Sequence, residues 1–207
     1  LSGSSELKQD FLSRTFDLSR IKMKYLPLIL FTMPGLASIS IGLSMFFGGS
    51  LEQFKIDRGV IFATGAVPAS FFLFAAPLFE ELGWKGYGID SLRSKYNFFT
   101  ASFLFGILWC LWHAPLFFVK NYYMNLLWQT GWVYVLNYFA SVIAGGFLIN
   151  WLWFINRGCI LTAVLVHASA NLQGIFLMGN TAKCIETLLL IAVMSFVVLR
   201  NNELFFL

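Results

Sequence analysis

The stretch "VPASFFLFAAPLFEELGWKGYG", residues 67–88, decides how this chain is read. An uncharged apolar run leads straight into two adjacent carboxylates, Glu80 and Glu81, and then into Lys85. Such a run is a membrane-crossing segment if the rest of the chain agrees, and it does. Of 207 residues, 58% are hydrophobic, 18% aromatic and 12% charged, with a mean hydropathy of +0.75. A soluble domain carries about 25% charged residues. Apolar runs near the ~20 residues needed to cross a bilayer as a helix recur along the chain. Composition therefore predicts an all-α, polytopic helical membrane protein and excludes a soluble domain.

Working outward, six membrane-embedded helices are expected around a polar cavity. They cover about Tyr25–Phe47, Gly59–Phe79, Phe98–Val119, Thr130–Ile155, Ile160–Met178 and Ile185–Leu199. Turns fall at Gly48-Gly49-Ser50, Asn156-Arg157-Gly158 and Gly179-Asn180-Thr181. Ten Lys and Arg lie ahead of the first span or after the second, fourth and sixth. Four (Lys55, Arg58, Lys120 and Lys183) lie on the other side. That bias predicts a cytoplasmic amino terminus, with the loop after Glu81 on the same side. The basic residues are topology signals, so no nucleic-acid partner is expected.

Residues 1–24 have no signal-peptide order. Leu7, Phe11, Leu12, Phe16, Leu18 and Ile21 recur at near-helical spacing among cations, which predicts an interfacial amphipathic helix on an anionic leaflet. Cys110, Cys159 and Cys184 lack metal-ligand spacing and are expected as reduced, packed thiols. The whole chain, 1–207, is expected to be one membrane-embedded domain.

Both histidines of the chain lie in apolar sequence: His113 in "ILWCLWHAPLFF", residues 107–118, and His167 in "LTAVLVHASANLQG", residues 161–174. Each needs polar partners inside the membrane. His167 and Asn171 share one helix face, and so do Trp109 and His113. Glu81 and Lys85, at i and i+4, form an acid–base pair that orients the segment. Glu80, about 100° round the helix, is left to face inward. Trp109 can stack on His113 or wall off the site. A carboxylate and an imidazole holding one water form a general-base pair, and a second imidazole with an amide can stabilise an oxyanion. The same atoms of Glu80, His113 and His167 are also good zinc ligands.

Glu80-Glu81-x-x-x-Lys85, Trp109-x-x-x-His113 and His167-x-x-x-Asn171 together resemble the three motifs of the CAAX prenyl endopeptidase and bacteriocin-processing family, also called the abortive-infection family, of intramembrane proteases. The flanks "EELGWKGY", "LWHAPLFF" and "FGGSLEQF" are similar to common bacterial forms, and the resemblance covers about residues 5 to 180. It implies a general base at Glu80, a water-positioning role for His113, oxyanion stabilisation by His167 and Asn171, and orienting roles for Glu81 and Lys85. It implies no cofactor, with zinc as the alternative. Lys85 stands where the family usually has arginine, and Trp109 where it usually has phenylalanine. Relatives carry further membrane helices ahead of the amphipathic segment, so an amino-terminally truncated chain is expected.

The leading functional expectation is an endopeptidase of the bacterial plasma membrane that cuts a peptide or membrane-protein substrate near the cytoplasmic face. A non-catalytic bacteriocin-immunity or peptide-binding membrane protein would use the same pocket to hold a peptide. A proton-linked transporter would show repeat symmetry, and none is visible.

Overall fold

The structure is a computed structural model that describes residues 4–56, 69–174 and 176–207. Among them the chain is helical apart from turns and one bridge between Ile56 and Phe176. Among the described residues, four segments are long and apolar enough to cross a membrane: Met23–Phe47, Phe98–Phe118, Trp132–Ile155 and Asn180–Arg200. Their outward faces carry Phe31, Leu111, Trp112, Leu188 and Phe196, each more than half exposed. So much contiguous apolar surface is untenable in water and natural in lipid.

The helices begin and end where local chemistry requires. α1 is Ser5–Phe16, opened by the Ser4 side chain accepting from the Leu7 amide and closed at Asp17. α2, Leu26–Ser44, has Pro27 in its first turn, where no amide partner is lost. α3 is Ala69–Gly83 and runs directly into a π-helical turn, Trp84–Gly88, and the short α4, Ile89–Arg93. α5, Phe98–His113, starts with the Asn97 side chain accepting from the Thr100 amide at 2.9 Å. Pro115 then tightens the chain into the 3₁₀ turn Ala114–Phe118, so His113 is the last residue of α5. α6 is Tyr123–Thr130 and α7 is Trp132–Ile155. α8 is Ile160–Gln173, α9 Asn180–Arg200 and α10 Asn202–Phe206.

α5 and α9 pack on α7, while α8 packs against α2, α3 and α7. The main core joins Ile29 and Met33 of α2, Phe105 and Trp109 of α5, Leu152 and Trp153 of α7, and Val166 of α8. α5 and α7 approach closely at Gly106, where an added Cβ would lie 3.0 Å from the Ile143 Cα. Small residues at such crossings let backbones meet where lipid gives no hydrophobic drive.

Three expectations change. The fifth span was to reach Met178, yet α8 has 14 residues and ends at Gln173. Enclosed by α2, α3 and α7, it meets protein before lipid, so it need not match the bilayer thickness. Beyond it the chain is tied off: Leu177 donates to the Lys55 carbonyl (3.1 Å), and Gly179 to Oε1 of buried Gln53 (2.8 Å). Of the second span, residues 59–68 lie outside the described residues; the remainder is α3, which continues past Phe79 to Gly83. The amphipathic segment is helical from Ser5 to Phe16, not through residue 24, because Asp17 ends the helix and caps a separate turn, Leu18–Arg20. Leu7, Leu12, Phe16 and Leu18 are exposed, whereas Phe11 turns inward against Gly86. Cys110, Cys159 and Cys184 are free.

Candidate active site

Because α3 carries Glu80 and Glu81 at adjacent positions, the two carboxylates diverge, and each meets a different helix. Glu81 points into the protein and is fully buried. Its Oε2 lies 3.3 Å from Nζ of Lys85, also fully buried, and its Oε1 accepts from Nδ1 of His167 at 2.9 Å. The expected Glu81–Lys85 pair is therefore present, and His167 joins it from α8. A carboxylate stripped of water is tolerated only when its charge and lone pairs are met in this way. The Lys85 ammonium also stands 3.9 Å from the centre of the Phe105 ring. Cation–π attraction strengthens when the cation is desolvated.

Glu80 is half-buried, and its Oε2 accepts from the Trp109 indole nitrogen at 3.1 Å. Trp109 also accepts, through its backbone carbonyl, from Nδ1 of His113 at 2.8 Å. A carbonyl can only accept, so the His113 proton is on Nδ1 and Nε2 keeps its lone pair in the neutral ring. The Trp109 ring meets His167 nearly edge-on, centroids 5.0 Å apart, and lies 5.9 Å from His113. Trp109 was expected to stack on His113 or to wall off the site. It does more: one residue joins Glu80, His113 and His167.

The structure thus brings together Glu80, Glu81, Lys85, Trp109, His113 and His167. Asn171 follows His167 by one turn on α8 and is half-buried, but its side chain takes no part in the Glu81–His167 bond. Ser169, between His167 and Asn171 on α8, donates to the Val166 carbonyl at 2.8 Å. The zinc set considered, Glu80, His113 and His167, does not close up: among the described residues no three His, Cys, Asp or Glu side chains form a ligand cluster.

Sequence reasoning missed the bond from Glu81 to His167, since the residues are 86 positions apart. It also missed Phe105 and Tyr138. Phe105 sits four residues before Trp109 on the same face of α5, a spacing that could have flagged it. Tyr138, from α7, stands edge-on to His113 with centroids 6.0 Å apart. A tyrosine inside an apolar span was the available signal.

Comparison with known proteins gives the family. The sequence pattern of the family described as "Type II CAAX prenyl endopeptidase Rce1-like" matches residues 62–173. "CAAX prenyl protease 2" of Methanococcus maripaludis is 42% identical over 206 residues, which cover 99% of this chain and 76% of that relative. A match over more than half the chain, joined to this identity over nearly all of it, makes the chain a membrane-embedded peptidase of the Rce1-like type II CAAX prenyl endopeptidase family.

Proposed function

We propose that Glu80 is the general base of an intramembrane peptide hydrolysis. The observation that carries this reading is the Trp109 bridge, which holds Glu80 by the indole nitrogen and His113 by the backbone carbonyl. With Oε2 engaged, Glu80 has Oε1 to take a proton from water; with Nδ1 engaged, His113 has the Nε2 lone pair to orient that water. The hydroxide attacks the scissile carbonyl, and Glu80 returns the proton to the leaving amine. His167, its Nδ1 on the Glu81 carboxylate, is held in the form that presents Nε2 to the site. As an imidazolium backed by Glu81, it donates from Nε2 to the oxyanion together with the Asn171 amide.

The basic bias of the loops, with α4 and the 156–158 turn beside Arg14 of α1, supports a cytoplasmic position for this end of the bundle and a cut near that face. The proposed location is the plasma membrane. The proposed substrate is a polypeptide with a carboxyl-terminal prenylated CAAX sequence, the class named for the relative.

A quenched-fluorescent prenylated CAAX peptide and its unprenylated twin, offered to the detergent-purified protein, test the reading. Wild-type cleavage that falls about 10²–10⁴-fold in Glu80→Gln, the usual cost of losing a general base, is the expected result. Full activity in Glu80→Gln would remove the base from this position. Equal cleavage of both peptides would remove the prenyl requirement. Activity lost with chelator and restored by zinc would require a metal in the reaction.

A further inference from the structure

We infer that Arg14 of α1 is a positioning residue for the site: it clamps together the two segments whose meeting creates the Glu81–His167 bond. The inference rests on the hydrolytic reading given above. Glu81 and Lys85 come from α3 and the π-helical turn, whereas His167 sits two turns into α8, just beyond the 156–158 turn. These segments are far apart in the chain and meet where α3 packs on α8. α1 touches both.

The Arg14 guanidinium reaches into the π-helical turn. It donates to the Gly86 carbonyl at 3.2 Å and to the carbonyl of Lys85 itself at 3.5 Å. One nitrogen pairs with Asp90 of α4 at 2.6 Å, and Nε lies 3.0 Å from Asp10 on α1. With its side chain 14% exposed, this guanidinium is largely buried and multiply engaged, while its carboxylate partners Asp10 and Asp90 stay partly exposed. A π turn widens the hydrogen-bond ladder and is often found at functional sites; here it turns two carbonyls toward one fork of donors.

The approach is close. A Cβ on Gly86 would lie 2.6 Å from the Phe11 ring, so glycine is what lets α1 seat on the turn. The same helix also meets the entry to α8. The Arg14 Cδ would be 3.5 Å from a Cβ at Gly158, Arg20 donates to the Arg157 carbonyl at 2.7 Å, and α1 packs on α8. Arg14 therefore acts through Lys85: it fixes the backbone of the residue whose ammonium balances Glu81, and so where Glu81 meets His167.

The test uses the full chain in detergent, comparing Arg14→Ala, Arg14→Lys and Asp90→Asn with wild type. A displacement of about 1 Å at a catalytic site costs on the order of 100-fold in rate. Arg14→Ala is therefore expected to lower kcat tenfold or more per folded enzyme, with KM within twofold. Arg14→Lys should recover part of the loss, because an ammonium can meet Asp90 but cannot span both carbonyls. Asp90→Asn, which keeps the guanidinium and weakens its anchor, should lower kcat less and remains informative if Arg14→Ala fails to fold. Hydrogen exchange over residues 84–90 should quicken least in Asp90→Asn, more in Arg14→Lys and most in Arg14→Ala, an arm that needs no substrate. Wild-type kcat in Arg14→Ala, a loss confined to KM, or unchanged exchange over 84–90 would overturn the clamp. If wild type itself cleaves nothing, the hydrolytic reading fails, while the exchange arm still decides whether Arg14 holds the turn.

Discussion

Glu81→Gln is the substitution whose consequences follow most directly from the structure. Glu81 and Lys85 are fully buried with 3.3 Å between Oε2 and Nζ. At an effective dielectric constant of about 20, two unit charges at that distance attract by about 5 kcal/mol, set against the cost of removing both from water. Glutamine leaves the Lys85 ammonium buried with the Phe105 face as its remaining partner, and stranding one buried charge costs about 3–5 kcal/mol. For a chain of this size that is a fall of about 6–20 °C in Tm. Lys85→Met should cost less, because the Glu81 carboxylate keeps its 2.9 Å hydrogen bond from His167 Nδ1 and is not left without a partner. The double variant Glu81→Gln/Lys85→Met removes both charges and should recover much of the lost stability. It should not recover activity, since His167 then lacks its carboxylate. Thermal unfolding in detergent, followed by the fluorescence of the buried tryptophans, reads all three. An unaltered Tm in Glu81→Gln, or a double variant no more stable than that single one, would refute the reasoning.

Three further outcomes are expected. Trp109→Phe removes the 3.1 Å indole bond to Glu80 but keeps the backbone carbonyl that holds His113, so kcat should fall about tenfold or less, whereas Trp109→Ala also opens the ring contact with His167 and should lose more; peptide cleavage compares them. Lys85→Arg should keep or raise activity in the same assay, since a guanidinium can pair with Glu81 while still stacking on Phe105, and clear inactivation would count against the pairing assigned to Lys85. Gln53→Ala should lower stability by about 1–3 kcal/mol without changing KM, because Gln53 donates to Ser44 Oγ (2.9 Å) and accepts from the Gly179 amide (2.8 Å); unfolding temperature and KM check the two halves.

Much of the fold was legible in the chain because lipid imposes a simple rule: each backbone polar group must be satisfied within its own segment, so long apolar runs become helices. The runs around Phe98–Phe118, Trp132–Ile155 and Asn180–Arg200 carried that signal in composition alone. Their ends were less legible. α8 stops at Gln173 because neighbouring helices and the Gln53 tie, not the bilayer, set its length. Within the site the same division holds. The Glu81–Lys85 pair and the turn joining Trp109 to His113 could be read from four-residue spacing, since helical periodicity puts such residues on one face.

What spacing cannot encode is which face meets which helix. The Glu81–His167 bond joins residues 86 positions apart, the Trp109–Glu80 bond spans 29, and Arg14 reaches 71 and 72 residues along the chain to the π-helical turn. Each depends on the crossing of α3, α5 and α8 and on the seating of α1. Those crossings are set by side-chain volumes at contacts such as Gly106 on Ile143 and Gly86 beneath Phe11, which hold no period along the chain. The sequence by itself therefore determined the helices, the polar residues within them and the pairs sharing one helix face. Only the tertiary structure decided that Glu81 meets His167 and Glu80 meets Trp109, because those choices depend on distances between helices.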